Sequence, residues 1–213
     1  MRDLNNLSVL DQLRQAPIVF LLLVSSFIGT GIVEWMPSII HYLTIQDFLS
    51  TANINSFDSI TISINAGEVW RLVTPIFLHF SIFHLIFNSL LLWILGQKIE
   101  YSIGSLYFFM SVFFISIISN LSQYLLAKSV LFGGLSGLVY GLLGFIWISY
   151  KFSREPIMLI PQGLFGFMLV WLFLGISGIV EIILGIQVAN AAHTTGLISG
   201  MILGCLNGYR FFK

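Results

Sequence analysis

Residues 189–208 read ANAAHTTGLISGMILGCLNG. Within them Ala192, Gly196, Gly200, Gly204 and Gly208 recur at every fourth position, a step that puts them all on one face of a helix. A helix of about 20 residues rises about 30 Å, enough to cross the hydrocarbon core of a bilayer. A face of small residues lets membrane helices approach closely. A second series with the same step, Gly133, Gly137 and Gly141, lies in GGLSGLVYGLLG at residues 133–144. Taken without their neighbours, the two series specify packing and nothing more.

The rest of the chain fits a bilayer. Of 213 residues, 57% are hydrophobic and 8% charged, with a mean hydropathy of +0.97; soluble domains carry about 25% charged residues. Formal charge is zero and the pI is near 6.9, which gives no footing for nucleic acid. Cys205 is the single cysteine, so neither an intrachain disulfide framework nor a cysteine-built metal site is available. Five Trp, seven Tyr and twenty Phe suit lipid contact and interfacial belts.

Six apolar spans are expected, at roughly 17–35, 82–99, 105–126, 134–150, 163–184 and 188–208. The fold class is thus all-α and polytopic, with residues 1–16 a short N-terminal segment and 17–213 a single membrane domain. The first span lacks the small-residue cleavage site of a secretory signal. With six spans, Arg2, Arg14, Lys98, Lys151, Arg154, Arg210 and Lys213 share one face, and only Arg71 and Lys128 the other. By the positive-inside rule both termini are cytoplasmic. The 36–81 connection is far longer than the usual ~2–8 residues between helices. Its apolar stretches (Ile39, Ile40, Phe48) and turn formers (Asn53, Asn55, Gly67) suggest a partly structured external loop lying on the membrane surface.

Two polar residues flank the small-residue faces. Ser136 comes one residue before Gly137, and His193 one residue after Ala192. One residue turns a helix by about 100°. Spans four and six both run from outside to inside, so if the two faces meet, these opposite rotations carry both side chains to the same side. Both lie near the outer ends of their spans. In the second span Ser81 is a candidate N-cap, His79 lies just before it, and His84 and Asn88 are i,i+4 neighbours. Polar groups within lipid are costly unless paired or facing a wet cavity; here three spans bring them to similar depth.

Peptide hydrolysis needs a nucleophile, a base and donors aimed at the developing oxyanion. Ser136 and His193 supply the first two; His84, Asn88 and the Ser136 backbone N–H supply donors. His79, Gly134 and Gly137 flank them as supporting residues. Glu181 is the only carboxylate well inside an expected span, and none is placed to orient His193. Tyr140, one turn below Ser136, can instead pack on the imidazole. There is no H-E-x-x-H and no Asp or Glu near His84 or His193 in sequence, so no metal is expected.

At Trp70-Arg71, HFSIFHLIFN (79–88), GGLSGLVYGLLG (133–144) and ANAAHTTGLISG (189–200), the sequence resembles the rhomboid intramembrane serine proteases of the bacterial GlpG-like type. The likeness covers roughly residues 68–208, and Gly141 stands where the family usually has Ala. It implies a six-helix rhomboid bundle in the cell (inner) membrane, with an active site opening to the external side. Ser136 attacks, His193 takes its proton, and His84, Asn88 and the Ser136 backbone form the oxyanion hole. It further implies no cofactor, and as partners the bilayer and transmembrane protein substrates, cut within or beside a spanning segment. Trp70 would be an interfacial anchor, Arg71 and Glu100 structural, and span five with the loop near 185–189 a lateral gate and cap.

The residues ahead of the first span are too few for the cytosolic domain some relatives carry, and the 36–67 stretch is longer than the GlpG-like one. Two other readings compete: a catalytically inactive rhomboid-like protein that binds transmembrane helices, and a small transporter. The transporter is disfavoured because the polar residues cluster in the outer third, whereas transporter sites lie near the midplane.

Overall fold

The computed structural model describes residues 8–47, 56–154 and 156–209, and regular structure among them is entirely helical. The order is α1 (Val9–Gln15), α2 (Pro17–Trp35), α3 (Ser56–Asn65), α4 (Ile82–Ile103), α5 (Ser105–Ala127), α6 (Ser136–Ser153), α7 (Leu164–Ile176), α8 (Ile179–Leu184) and α9 (Asn190–Tyr209). Short 3₁₀ turns at Pro37–Tyr42, Val69–Leu72 and Thr74–Phe77 organise the long connection between α2 and α4. Phe48, Asn53 and Asn55 of that connection lie outside the described residues, as do Arg2, Arg210 and Lys213 of the charge count.

Five expected spans each fall on one helix, namely α2, α4, α5, α6 and α9. The fifth, expected as one continuous span over 163–184, is two helices: α7 ends at Ile176, and Gly178, at φ +78°, turns the chain before α8. Hydropathy hid the break, because glycine in an apolar run barely lowers the average while its left-handed φ ends the helix. Glu181 consequently sits exposed in the first turn of α8 rather than inside a continuous span.

α2, α4 and α5 are each long and apolar enough to cross a bilayer on length and composition alone, and α7 is a shorter apolar helix. α6 and α9 are diluted by Gly, Ser and Thr, and the reason is what they face. Eleven of the eighteen residues of α6 are buried, against four of nineteen in α2. α2 leaves most of its residues outside the protein core, as a lipid-facing helix would, whereas α6 is surrounded by protein.

Glycine sets the distance between α6 and α9. A Cβ on Gly196 would collide with the carbonyl of Gly137, one on Gly200 with the carbonyl of Gly141, and one on Gly144 with the carbonyl of Leu197. The two helices thus meet backbone to backbone over about two turns, as small-residue faces permit. Gly133 is not part of this contact. It precedes α6 and packs on the 75–78 segment, where a Cβ would lie 2.8 Å from the Pro75 carbonyl oxygen. The four-residue step fails there because the helix begins only at Ser136.

Buried charge stabilises the ends of the bundle. The carboxylate of Glu100 accepts the N–H groups of Ile18 and Val19, both at 2.9 Å. It satisfies orphan donors at the start of α2, where a negative charge also suits the helix dipole. Arg71, 1% exposed, is paired with Glu68 at 2.7 Å and donates to the carbonyls of His41 and of Thr44, the latter at 3.1 Å. The Trp70 indole N–H donates to Tyr42 O at 3.0 Å. Together they bind the connection's early turn to the segment leading into α4.

Gly200→Leu should lower the thermal midpoint sharply, by the equivalent of about 3 kcal/mol or more, because the obstructing atoms are backbone and cannot swing aside. Among the described residues, no atom lies within 4 Å of a Cβ built on Gly166 of α7. Gly166→Ala should therefore be neutral or stabilising by up to about 1 kcal/mol. Thermal unfolding in detergent measures both, and equal midpoints for Gly200→Leu and wild type would contradict the packing assigned to the seam.

Candidate active site

Ser136 is the first residue of α6, so its N–H is one of the unpaired donors at a helix N-terminus, where negative charge is favoured. His193 lies one turn into α9 and is 5% exposed. Its Nε2 is 2.7 Å from Ser136 Oγ, within the reach a base needs to take the hydroxyl proton. The other ring nitrogen, Nδ1, is buried with no hydrogen-bond partner among the described residues. Packing holds the ring instead: Tyr140 lies against it with centroids 4.8 Å apart and planes inclined 32°. The Tyr140 hydroxyl donates to Met168 O on α7 at 2.8 Å.

The second span brings up the remaining groups. Ser81 caps α4 by accepting the His84 N–H at 3.2 Å, which starts the helix so that His84 and Asn88 follow one another on one face. Both border the loop leading into α6. A Cβ on Gly134 would lie 2.5 Å from His84 Cε1, 2.7 Å from His84 Nε2 and 3.5 Å from Asn88 Nδ2. Gly134 also has φ +110°, so both space and backbone conformation require glycine there. Asn88 is 2% exposed, and its Nδ2 has no acceptor among the described residues. A buried amide donor left unpaired is costly, and beside the start of α6 it is available to an anion.

His79 holds the approach to Ser136. It is fully buried; its Nδ1 lies 3.2 Å from Phe77 O, and its Nε2 lies 3.3 Å from the N–H of Leu135. The Phe77 carbonyl can only accept and the Leu135 N–H can only donate, so the ring is neutral with its proton on Nδ1. The adjacent Gly134 N–H donates to Pro75 O at 3.1 Å, and the His79 and His84 rings meet edge to face at 4.9 Å. Burial lowers the His79 pKa to about 4, with the neighbouring His84 adding to the shift and the Phe77 carbonyl opposing it.

Three groups near the site were not singled out from sequence. Ser116, Ser119, Asn120 and Gln123 form a buried polar stripe on α5. Gln123 Oε1 accepts the Ala192 N–H at 3.2 Å, next to His193, and a Cβ on Gly137 would lie 2.9 Å from Ser119 Cβ. Their i, i+3, i+4, i+7 spacing was the available signal. Asn190 donates to Gly175 O at 2.9 Å. The third is Met168 O, a backbone acceptor that no residue type announces.

Comparisons with known proteins place the chain among relatives. A family model for the Rhomboid domain matches residues 66–210. The Rhomboid protease GlpG of Serratia proteamaculans (strain 568) is 40% identical over 136 residues, covering 64% of this chain and 47% of the relative. That of Photorhabdus laumondii is 38% identical over 146 residues, 68% of this chain and 50% of the relative. That of Yersinia pestis (strain Pestoides F) is 37% identical over 136 residues, 64% and 47% respectively. The chain spans about half the length of the curated relatives it matches.

The His79 geometry carries a pH dependence. Its pKa falls from 6.5 to about 4 on folding, so as pH drops the unfolded chain takes up the proton first. The stabilisation is complete above pH 6.5 and is lost as pH falls through 4. Between pH 7 and pH 4 the wild type should lose about 3 kcal/mol more stability than His79→Gln, whose amide keeps a donor and an acceptor without titrating. Parallel stability–pH curves for the two proteins would contradict this account.

Proposed function

The chain belongs to the rhomboid family, and from that premise we propose that it is an intramembrane serine endopeptidase acting on other membrane proteins within or beside their transmembrane segments. The observation that supports this most directly is the 2.7 Å separation of Ser136 Oγ and His193 Nε2. Ser136 is the nucleophile. Its Oγ attacks the scissile carbonyl carbon while His193 Nε2 takes the hydroxyl proton. The carbonyl oxygen becomes an oxyanion, bound by the Ser136 N–H at the helix N-terminus and by the side chains of Asn88 and His84. The tetrahedral intermediate collapses, the C–N bond breaks, and His193 returns the proton to the leaving amine. Water then attacks the acyl-enzyme with His193 again as base, releasing the acid and regenerating Ser136.

A helical substrate hides its carbonyls in i→i−4 hydrogen bonds, so the segment to be cut must unwind before attack. Substrates with helix-weakening residues near the cleavage site therefore react faster. On this reading both termini are cytoplasmic and the Ser136 end of α6 is toward the outside of the cell membrane. In a six-span arrangement seven of the nine Lys and Arg would share one face, which supports this orientation.

Purified protein incubated with a single-span substrate in detergent or liposomes should cleave it, and Ser136→Ala and His193→Ala should not. Asn88→Ala should slow cleavage by about 10²–10³-fold, the cost of one oxyanion donor. A fluorophosphonate probe should label wild type at Ser136. Cleavage by Ser136→Ala at the wild-type rate would overturn the assignment.

A further inference from the structure

The end of α6 remote from Ser136 carries a second cluster of polar side chains. Trp147, Tyr150, Lys151 and Arg154 follow one another at i, i+3, i+4 and i+7, which places them on one face of the last two turns. Tyr150, Lys151 and Arg154 line a cavity of about 340 Å³, within the roughly 300–1,000 Å³ of small-ligand sites. Two of these three residues are cations and none is an acid; neither cation has an ion pair among the described residues. Lys151 Nζ stands 4.4 Å from the centroid of the Trp147 ring, and that ring stacks on Phe165 of α7 with centroids 5.0 Å apart. The backbone singles out Arg154. It caps the C-terminus of α6 in the left-handed conformation, at φ +53°, with its N–H donating to Tyr150 O at 2.9 Å. Glycine is the usual residue at such a helix end, because a side chain is strained there. A long cationic side chain kept at a position that favours glycine points to a use for it.

We propose that this cavity binds the headgroup phosphate of an anionic phospholipid. α6 has 18 residues, a rise of about 27 Å against a hydrocarbon core of about 30 Å, so its C-terminal end reaches the headgroup level. Phosphate oxygens there meet the Arg154 guanidinium, whose planar fork suits two of them at once, and the Lys151 ammonium beside it. Trp147, one turn nearer the bilayer centre, forms with Phe165 an apolar wall at the depth where amphipathic aromatics settle and acyl chains begin. That wall selects a phospholipid over a soluble phosphate, since a free anion would use only the cations and a lipid uses both. The local field also admits an anion. The unpaired carbonyls at the end of α6 amount to about half a negative charge, and two full positive charges outweigh it. The site is independent of the chemistry at Ser136 and His193, which lies at the other end of the helix.

The test is thermal unfolding of the full chain, stripped of lipid in a neutral detergent, with and without added lipid. Dioleoyl phosphatidylglycerol at ten times its dissociation constant should raise the wild-type midpoint by about 3–6 °C, the shift expected when one site multiplies the folded-to-unfolded ratio about eleven-fold. Dioleoyl phosphatidylcholine and glycerol 3-phosphate should leave the midpoint unchanged. Lys151→Gln and Arg154→Gly should each lose most of the phosphatidylglycerol shift. Without lipid, Arg154→Gly should melt at or above the wild-type temperature, because glycine removes the strain at φ +53°. Lys128 is the control: it is exposed and caps α5 in the same conformation, at φ +51°, toward the Ser136 end of α6. Lys128→Gly should gain stability in the same way and keep the full phosphatidylglycerol shift. The site is overturned if phosphatidylglycerol fails to shift the wild type or if Arg154→Gly keeps the shift. It is also overturned if Lys128→Gly loses as much as Arg154→Gly, which marks diffuse attraction to net charge. A lipid-free Arg154→Gly midpoint well below wild type overturns it too, since Arg154 would then be holding the fold. A full shift with glycerol 3-phosphate overturns the lipid assignment in favour of a soluble phosphate ester.

Discussion

Where α6 and α9 cross, glycine removes the side chains that normally keep packed helices about 8–10 Å apart. The carbonyls of Gly137 and Gly141 then lie against Gly196 and Gly200. Ser136 and His193 each stand one residue off this contact, at the ends of the helices nearest each other. Their 2.7 Å separation follows from the backbone approach. A single added methyl at Gly196 or Gly200 would push the helices apart by more than a hydrogen bond can stretch. Packing and chemistry are thus one constraint in this molecule, and the hydropathy that α6 and α9 give up in carrying glycine is tolerated because the outer helices face the lipid.

The buried charges follow a related logic. Glu100 and Arg71 are each about 1% exposed, and each serves two backbone groups, Arg71 while also pairing with Glu68. Glu100 takes two N–H groups at the start of α2; Arg71 gives to two carbonyls of the irregular connection. Non-helical backbone within a membrane protein has to find partners inside the protein, and a long side chain with several donors or acceptors can serve more than one such group at once. His79 does the same on a smaller scale, accepting from Leu135 and donating to Phe77.

Sequence reading reached the periodic features. The four-residue glycine step located the α6–α9 contact, the i,i+4 pair His84 and Asn88 pointed to one side of the candidate site, and Ser81 marked the start of α4. It missed features in which a backbone group decides. The break between α7 and α8 is a glycine conformation inside an apolar run. Gly133 kept the step but fell before the helix began. Asn190 appeared as one polar residue among several, because its partner is the carbonyl of Gly175 and a carbonyl has no letter in the sequence. The stripe Ser116, Ser119, Asn120 and Gln123 had helical spacing but pointed to no chemistry until Gln123 was seen holding the Ala192 N–H.

That Nδ1 of His193 has no partner among the described residues follows from where the Ser136–His193 pair sits. A carboxylate beside it would orient the imidazole, but burying that charge without a partner would cost several kcal/mol. An aromatic face holds the ring without that desolvation. The consequence is that orientation is shared between the Ser136 hydroxyl, 2.7 Å from Nε2, and the face of Tyr140, whose own hydroxyl is tied to the Met168 carbonyl at 2.8 Å.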